Sequence, residues 1–322
     1  MEELILKEKD YQETMEQTVC PFLRERQSQL WLERKKGEKI YCMRYCAEQA
    51  KGIVLISHGF TECAEKYEET FYYFLKKGFH VYCMEHCGHG HSYRLTEELS
   101  LVHIDRYERY VEDLLFVAGK VKEENPKLPL FLYGHSMGGG IGAAAAAKKP
   151  MYFDKLILSA PMLRPQTKPV PWKLAQLIAY FACFFGKEKA YVRGQKPYDG
   201  RERFEESAAT SEVKFDYYQR KRNAEPLYHT NAPSYGWLWN AGRMNRYLRK
   251  EGWKKIAVPV LLFQAEQDTF VSLSEQERFV KKLGGRVEVK LIKVAGTKHE
   301  ICRADDIVSK SYWENVFAFL ER

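Results

Sequence analysis

Eight short runs rich in β-branched and aromatic residues recur along this chain, at 29–32, 40–43, 53–57, 80–84, 130–133, 156–159, 260–263 and 287–292. The first two flank Lys35-Lys-Gly37 and read as a hairpin. The later ones, such as Ile53-Val-Leu-Ile56, are apolar at nearly every position, as strands buried on both faces must be. Helix-length segments at 64–78, 104–124, 138–149, 273–283 and 309–320 separate them. Strand and helix in alternation imply right-handed crossovers and a mostly parallel sheet covered on both sides.

The rhythm breaks once. From Pro161 to about Lys255 no comparable buried strand occurs, and so long a stretch cannot be a simple connection in a compact domain. It opens with Pro161, Pro165, Pro169 and Pro171, continues through an apolar run at 170–185, and ends in the aromatic-rich Tyr235-Gly-Trp-Leu-Trp239. We read 1–160 and 256–322 as an α/β core and 161–255 as a helical cap inserted over the carboxyl edge of its sheet. The apolar run is short for a membrane span and contains Lys173. It fits a pocket lining, a membrane-touching surface or the cap's own core helix.

Hydrophobic residues make up 45% and charged residues 29%, so the chain is neither disordered nor fibrous. The net charge of +8 is spread among acidic residues, without the arginine-rich arm of a nucleic-acid binder. It suits a peripheral contact with an anionic membrane surface. The first ten residues mix charges and lack a continuous apolar stretch, so a secretory leader is not expected there. The eight cysteines are scattered along a large chain and read as reduced thiols of a cytosol. Cys83, His86, Cys87, His89 and His91 bring metal-ligand types together, but no second pair at finger-like spacing follows. The reading therefore carries no metal.

Gly134-His-Ser-Met-Gly138 directly follows the run at 130–133 and leads into a small-residue helix. A sharp strand-to-helix turn of this kind needs small residues on either side of the serine and lifts its hydroxyl above the sheet. Serine is a poor nucleophile until a base takes its proton, so a histidine oriented by an acid must lie within reach; in the fold built around this kind of turn the chain order is serine, acid, histidine. His299, after the last strand, fits. The histidines from His58 to His135 precede Ser136, and His229 lies in the cap. Asp268, after the run at 260–263, is the candidate acid; Glu266 is a rival two residues earlier, and Asp305 and Asp306 come after the histidine. Backbone N–H groups of Met137 and of Phe60, in His58-Gly-Phe60, would hold the oxyanion.

On these residues the sequence resembles the monoacylglycerol lipase and bacterial lysophospholipase branch of the α/β-hydrolases, in the serine aminopeptidase-like group. The likeness runs from about Leu30 to Arg322. It is carried by Ser57-His-Gly-Phe60, Gly88-His-Gly90 with Ser92, His103-Ile-Asp-Arg106, Tyr110-Val-Glu-Asp113, Gly134 to Gly139 and Leu158-Ser-Ala-Pro-Met162. Arg201-Glu-Arg-Phe204 and Ser234-Tyr-Gly-Trp-Leu238 look closest to the lysophospholipases. Where family members often carry Asp and Arg ahead of Gly-His-Gly, this chain has Glu85 and Cys87. The resemblance implies an α/β-hydrolase fold with an eight-stranded sheet and a helical cap. It also implies a serine hydrolase that needs no cofactor and releases a fatty acid from lysophospholipids or monoacylglycerols. A proline-type aminopeptidase is the rival enzyme, for which the cap offers no clear acidic pocket, and an inactive partner-binding scaffold is the third reading.

Overall fold

The computed structural model describes residues 4–322. An N-terminal segment carries the short helices α1 (Tyr11–Thr14) and α2 (Cys20–Arg24), joined by a π turn at Met15–Val19. Strands β1 (Gln27–Glu33), β2 (Lys39–Tyr45), β3 (Gly52–Ser57) and β4 (Phe79–Met84) follow, with α3 (Glu68–Lys76) between the last two. A two-residue strand, β5 (Leu101–Val102), precedes α4 (Tyr107–Glu124), β6 (Leu130–His135), α5 (Ser136–Lys148) and β7 (Lys155–Ser159). The insertion then supplies α6 (Trp172–Phe184), α7 (Glu212–Ala224), β8 (Ala232–Pro233) and α8 (Tyr235–Lys250). The chain ends with β9 (Val260–Ala265), α9 (Leu273–Leu283), β10 (Val289–Val294) and α10 (Asp306–Leu320).

Eight strands form one sheet in the order β1-β2-β4-β3-β6-β7-β9-β10. Only β2 runs antiparallel to its neighbours, pairing Gln27 with Tyr45 on one side and Cys42 with Met84 on the other. Side chains of alternate residues leave the central strands on opposite faces. Leu55, Leu132, Leu158 and Leu262 pack under α4, α5 and α8, while Val54, Ile56, Tyr133 and Phe263 pack under α3, α10 and the N-terminal segment. Burial on both faces explains why these runs have no polar period. The exposed and half-buried residues of β1 do alternate, because the hairpin forms an edge.

Several element boundaries differ from the sequence reading, among them the start of α4, at Tyr107 rather than 104, and two near the chain's end have a direct cause. The last strand begins at Val289, since Val287 still closes the turn leaving α9 by donating its N–H to the Leu283 carbonyl. The last helix begins at Asp306, three residues early, because the Asp305 carboxylate caps it by accepting the N–H groups of Ile307 and Val308.

From β3 the chain proceeds to β4 on one side, whereas β6, β7, β9 and β10 extend to the other. The loops leaving the adjacent carboxyl ends of β3 and β6 therefore diverge, which opens a crevice at that switch point. Strand β7 pairs directly with β9 although the whole insertion lies between them, so the insertion leaves the sheet undisturbed. It is tied to the core by the small β5–β8 pair and by His103 Nδ1, 2.8 Å from Ser234 Oγ. Gly236 packs so closely on the His103 ring that a Cβ there would lie 2.6 Å from it. The marker phrases around His103 and Ser234 thus meet in space.

Candidate active site

Ser136 sits between β6 and α5 with φ +50°, a left-handed backbone that costs a residue with a Cβ on the order of 1–3 kcal/mol. Its neighbours must be small. A Cβ on Gly134 would lie 2.8 Å from the Gly138 carbonyl oxygen, and one on Gly138 would lie 2.0 Å from that of Ser57. Glycine at 138 thus lets the start of α5 abut the end of β3, where the loop His58-Gly-Phe60 begins. The Ser57 hydroxyl fastens this junction by donating to the Gly138 carbonyl at 3.1 Å.

Asp268 leaves the carboxyl end of β9 and His299 follows β10. His299 Nδ1 lies 2.6 Å from Asp268 Oδ2. The other oxygen, Oδ1, accepts the N–H groups of Phe270 at 2.8 Å and Val271 at 3.1 Å. Burial pushes this carboxyl up, but the His299 contact and the two N–H donors outweigh it and hold Asp268 below its ordinary value. The rival carboxylates are engaged elsewhere: Glu266 accepts the Gly296 N–H, Asp305 caps α10, and Asp306 accepts the Glu8 N–H.

Ser136, His299 and Phe60 line one cavity of about 660 Å³. Asp268 stands behind the imidazole. The Met137 side chain points into the core beside Tyr110 and Ile141, leaving its main-chain N–H, in the first turn of α5, as its only means of acting at the serine. Of the earlier histidines, His58 Nε2 accepts the His86 N–H, and His86 Nε2 meets Ser57 Oγ at 2.9 Å. Cys83 and Cys87 face opposite sides of the sheet. Among the described residues no group of three His, Cys, Asp or Glu is arranged to hold a metal ion.

Three features of the site were not legible in the sequence. His135 lies with its ring 4.9 Å from that of His299, and burial pushes its imidazole down to about 4, so this neighbour is neutral at neutral pH and gains charge only on acidification. The amides flanking His299 are held by the insertion: Lys298 N–H donates to Thr210 Oγ1 and Glu300 N–H to the Ala208 carbonyl, each at 3.0 Å. Finally, an ionic chain borders the cavity. Lys66 Nζ bridges Glu62 at 2.8 Å and Glu300 at 2.6 Å, and Arg303 approaches Glu300 at 3.9 Å. Glu62 also accepts the Gly59 N–H at 2.6 Å, fixing the loop that presents Phe60.

Burial raises the Glu62 and Glu300 carboxyls, yet Lys66, together with His135 at Glu62 and Arg303 at Glu300, leaves both below their ordinary 4.5. The unfolded chain therefore takes up these protons first. The stability they contribute is present above about pH 4.5 and is lost as pH falls through the lower folded values. Lys66 has the opposite sign: its contribution persists until pH rises past its ordinary 10.5. The thermal midpoint is expected to fall on acidification below about pH 4.5, with a shallower acid limb in Glu62→Gln. Identical acid limbs would show that the network does not carry this dependence.

The cavity wall departs from the sequence reading in two ways. No residue of the apolar run 170–185 lines it. In α6 only Ala175 and Ala179 are buried, while Leu174, Leu177, Phe181 and Phe184 are about half exposed or more. The insertion does place carboxylates at the cavity, Glu202 and Glu206, which form ion pairs with Arg222 and Arg203. Phe60, Met162, Trp237, Phe270 and Val271 supply an apolar side.

Over 129 residues the chain is 33% identical to the monoglyceride lipase of Rattus norvegicus, a match covering 39% of this chain and 41% of that protein. The chain thus spans about two fifths of that relative's length. It is 26% identical to lysophospholipase L2 of Escherichia coli K12 over 334 residues, covering 98% of this chain and 95% of the relative. A soluble variant of the Saccharomyces cerevisiae monoglyceride lipase superposes with a TM-score of 0.72 at 20% identity, covering 92% and 95% of the two chains. A thermostable carboxyl esterase from Bacillus coagulans gives the same score and identity over 92% and 98%. These structures share the α/β-hydrolase fold. The family described as serine aminopeptidase, S33, matches residues 48–306, and the chain belongs to it.

Proposed function

We propose that the protein is a serine hydrolase that releases a fatty acid from single-chain lipid esters, with Ser136 as nucleophile, His299 as base and Asp268 as its orienting acid. The observation that carries this is the 2.6 Å Asp268–His299 contact at the wall of a cavity shared with a serine held at φ +50°. With Nδ1 committed to Asp268, Nε2 is the imidazole atom left to take the Ser136 proton. The serine oxygen attacks the ester carbonyl, and the N–H groups of Phe60 and Met137 receive the negative charge on the carbonyl oxygen. Collapse expels the alcohol, which takes the proton from His299. Water, deprotonated by the same imidazole, then attacks the acyl-serine and frees the acid. No step calls for a metal or organic cofactor.

The two-sided wall suits a molecule with an apolar acyl chain and a polar alcohol part. Residues 161–255 act as the cap, and 1–160 with 256–322 as the core. The exposed apolar face of α6 and the +8 charge fit a cytoplasmic protein that touches the inner face of an anionic membrane. Among the described residues no helix is long and apolar enough to cross a membrane.

A panel of lysophospholipids and monoacylglycerols tests the lipid assignment, with free fatty acid as the readout. Turnover of short aryl esters with every single-chain lipid left intact would overturn it. The rival aminopeptidase reading gains from the carboxylates at the wall, but each already has a cationic partner, so a substrate ammonium would have to displace one. Release of amino-terminal residues from peptides would favour that reading.

A further inference from the structure

Helix α7 has two working stripes. Phe215, Tyr218, Gln219 and Arg222 recur at helical spacing and line the cavity. Lys214, Tyr217 and Lys221 form the adjoining stripe, which faces the N-terminal segment and α3. Lys214 Nζ lies 2.8 Å from Glu69 Oε1, with both side chains at most 3% exposed. The Tyr11 hydroxyl donates to the other Glu69 oxygen at 3.1 Å, and the Tyr11 ring packs edge-on against Tyr217 at 5.6 Å. Arg220 donates to Gln12 Oε1 at 2.8 Å, and the Ser211 hydroxyl at the helix N-cap donates to Glu8. The segment is itself fixed to the core: Ile5, Leu6, Tyr11, Met15, Val19 and Leu23 are buried, and Leu6 N–H donates to Tyr73 Oη at 2.9 Å. It lies ahead of the region the family shares, which begins at residue 48.

We propose that residues 4–24 form a strap, outside the cavity itself, that clamps α7 and thereby sets the shape and acyl specificity of the cavity wall, with Tyr11 and Gln12 as positioning residues. This rests on the reading of the cavity as an ester site. A buried ion pair holds only while its remaining lone pairs and protons are satisfied. Glu69 depends on Tyr11, Tyr73 and Lys214 together, so loosening the strap weakens the Lys214 anchor of the wall. Among the described residues, the exposed α6, which packs on α8, has no such clamp.

The test is the full-length Tyr11→Phe/Gln12→Ala variant, which keeps the buried ring and removes two polar ties. Amide exchange across 212–224 is expected to quicken about tenfold while that of α8 is unchanged. KM for 4-nitrophenyl dodecanoate should rise about fivefold, with kcat for 4-nitrophenyl acetate within about twofold of the parent. The strap is overturned if exchange in α7 is unchanged, if α7 is freed with no change in KM, or if kcat falls equally for both esters. Should the double variant fail to fold, Tyr11→Phe alone is read by the same criteria. Absence of any wild-type ester turnover would overturn the proposed function, and the exchange measurement would still decide whether the strap holds α7.

Discussion

Replacing Ser136 by alanine is expected to lower kcat for ester hydrolysis by about 10⁴ to 10⁶-fold and to abolish labelling by a fluorophosphonate. The reasoning is local. Alanine inherits the left-handed backbone and the close packing against Gly134 and Gly138 but has no oxygen to form an acyl intermediate. Stability should change little, because the strain at φ +50° is common to both residues; Ser136→Gly, free of that strain, should be about 1 kcal/mol more stable than Ser136→Ala. Turnover in the alanine variant within tenfold of the parent would show that Ser136 is not the nucleophile. A parent protein that the fluorophosphonate leaves unlabelled would favour an inactive binding scaffold.

What the sequence made legible follows from how narrowly physics restricts each feature. Strands buried on both faces tolerate few polar residues, so runs such as 53–57 and 130–133 mark themselves, and their parallel order follows from the helices between them. The strand-to-helix turn at Ser136 accepts only small neighbours, which makes Gly134 and Gly138 visible without coordinates. Contacts between distant residues leave no such trace. Lys66 and Glu300 are 234 positions apart, and nothing local to either predicts their 2.6 Å contact. The packing of residues 4–24 left no signal either: the first ten residues mix charges with a short apolar run, and the apolar positions that follow fall across a π turn, which blurs helical spacing. The run 170–185 shows the converse limit: hydrophobicity announces a surface that wants cover but not which one, and here most of it faces outward.

The second large effect concerns the acid. Asp268→Asn is expected to lower kcat by about 10⁴-fold with KM little changed. In the parent, Asp268 Oδ1 accepts two backbone N–H groups while Oδ2 accepts from His299 Nδ1. An asparagine retains one carboxamide oxygen, and the pair of N–H donors from Phe270 and Val271 claims it. Its NH₂ group must then face His299 Nδ1, donor toward donor. The imidazole relieves the clash by shifting its proton to Nε2, and a protonated Nε2 cannot accept from Ser136. The loss thus comes from the wrong tautomer rather than from lost substrate binding, which is why kcat falls and KM does not. Glu266→Gln is the control, since Glu266 accepts the Gly296 N–H at an exposed turn away from His299, and its activity should stay within about twofold of the parent. Near-parental turnover in Asp268→Asn together with a large loss in Glu266→Gln would reassign the acid to Glu266 and require the histidine loop to adopt a different arrangement in the working enzyme.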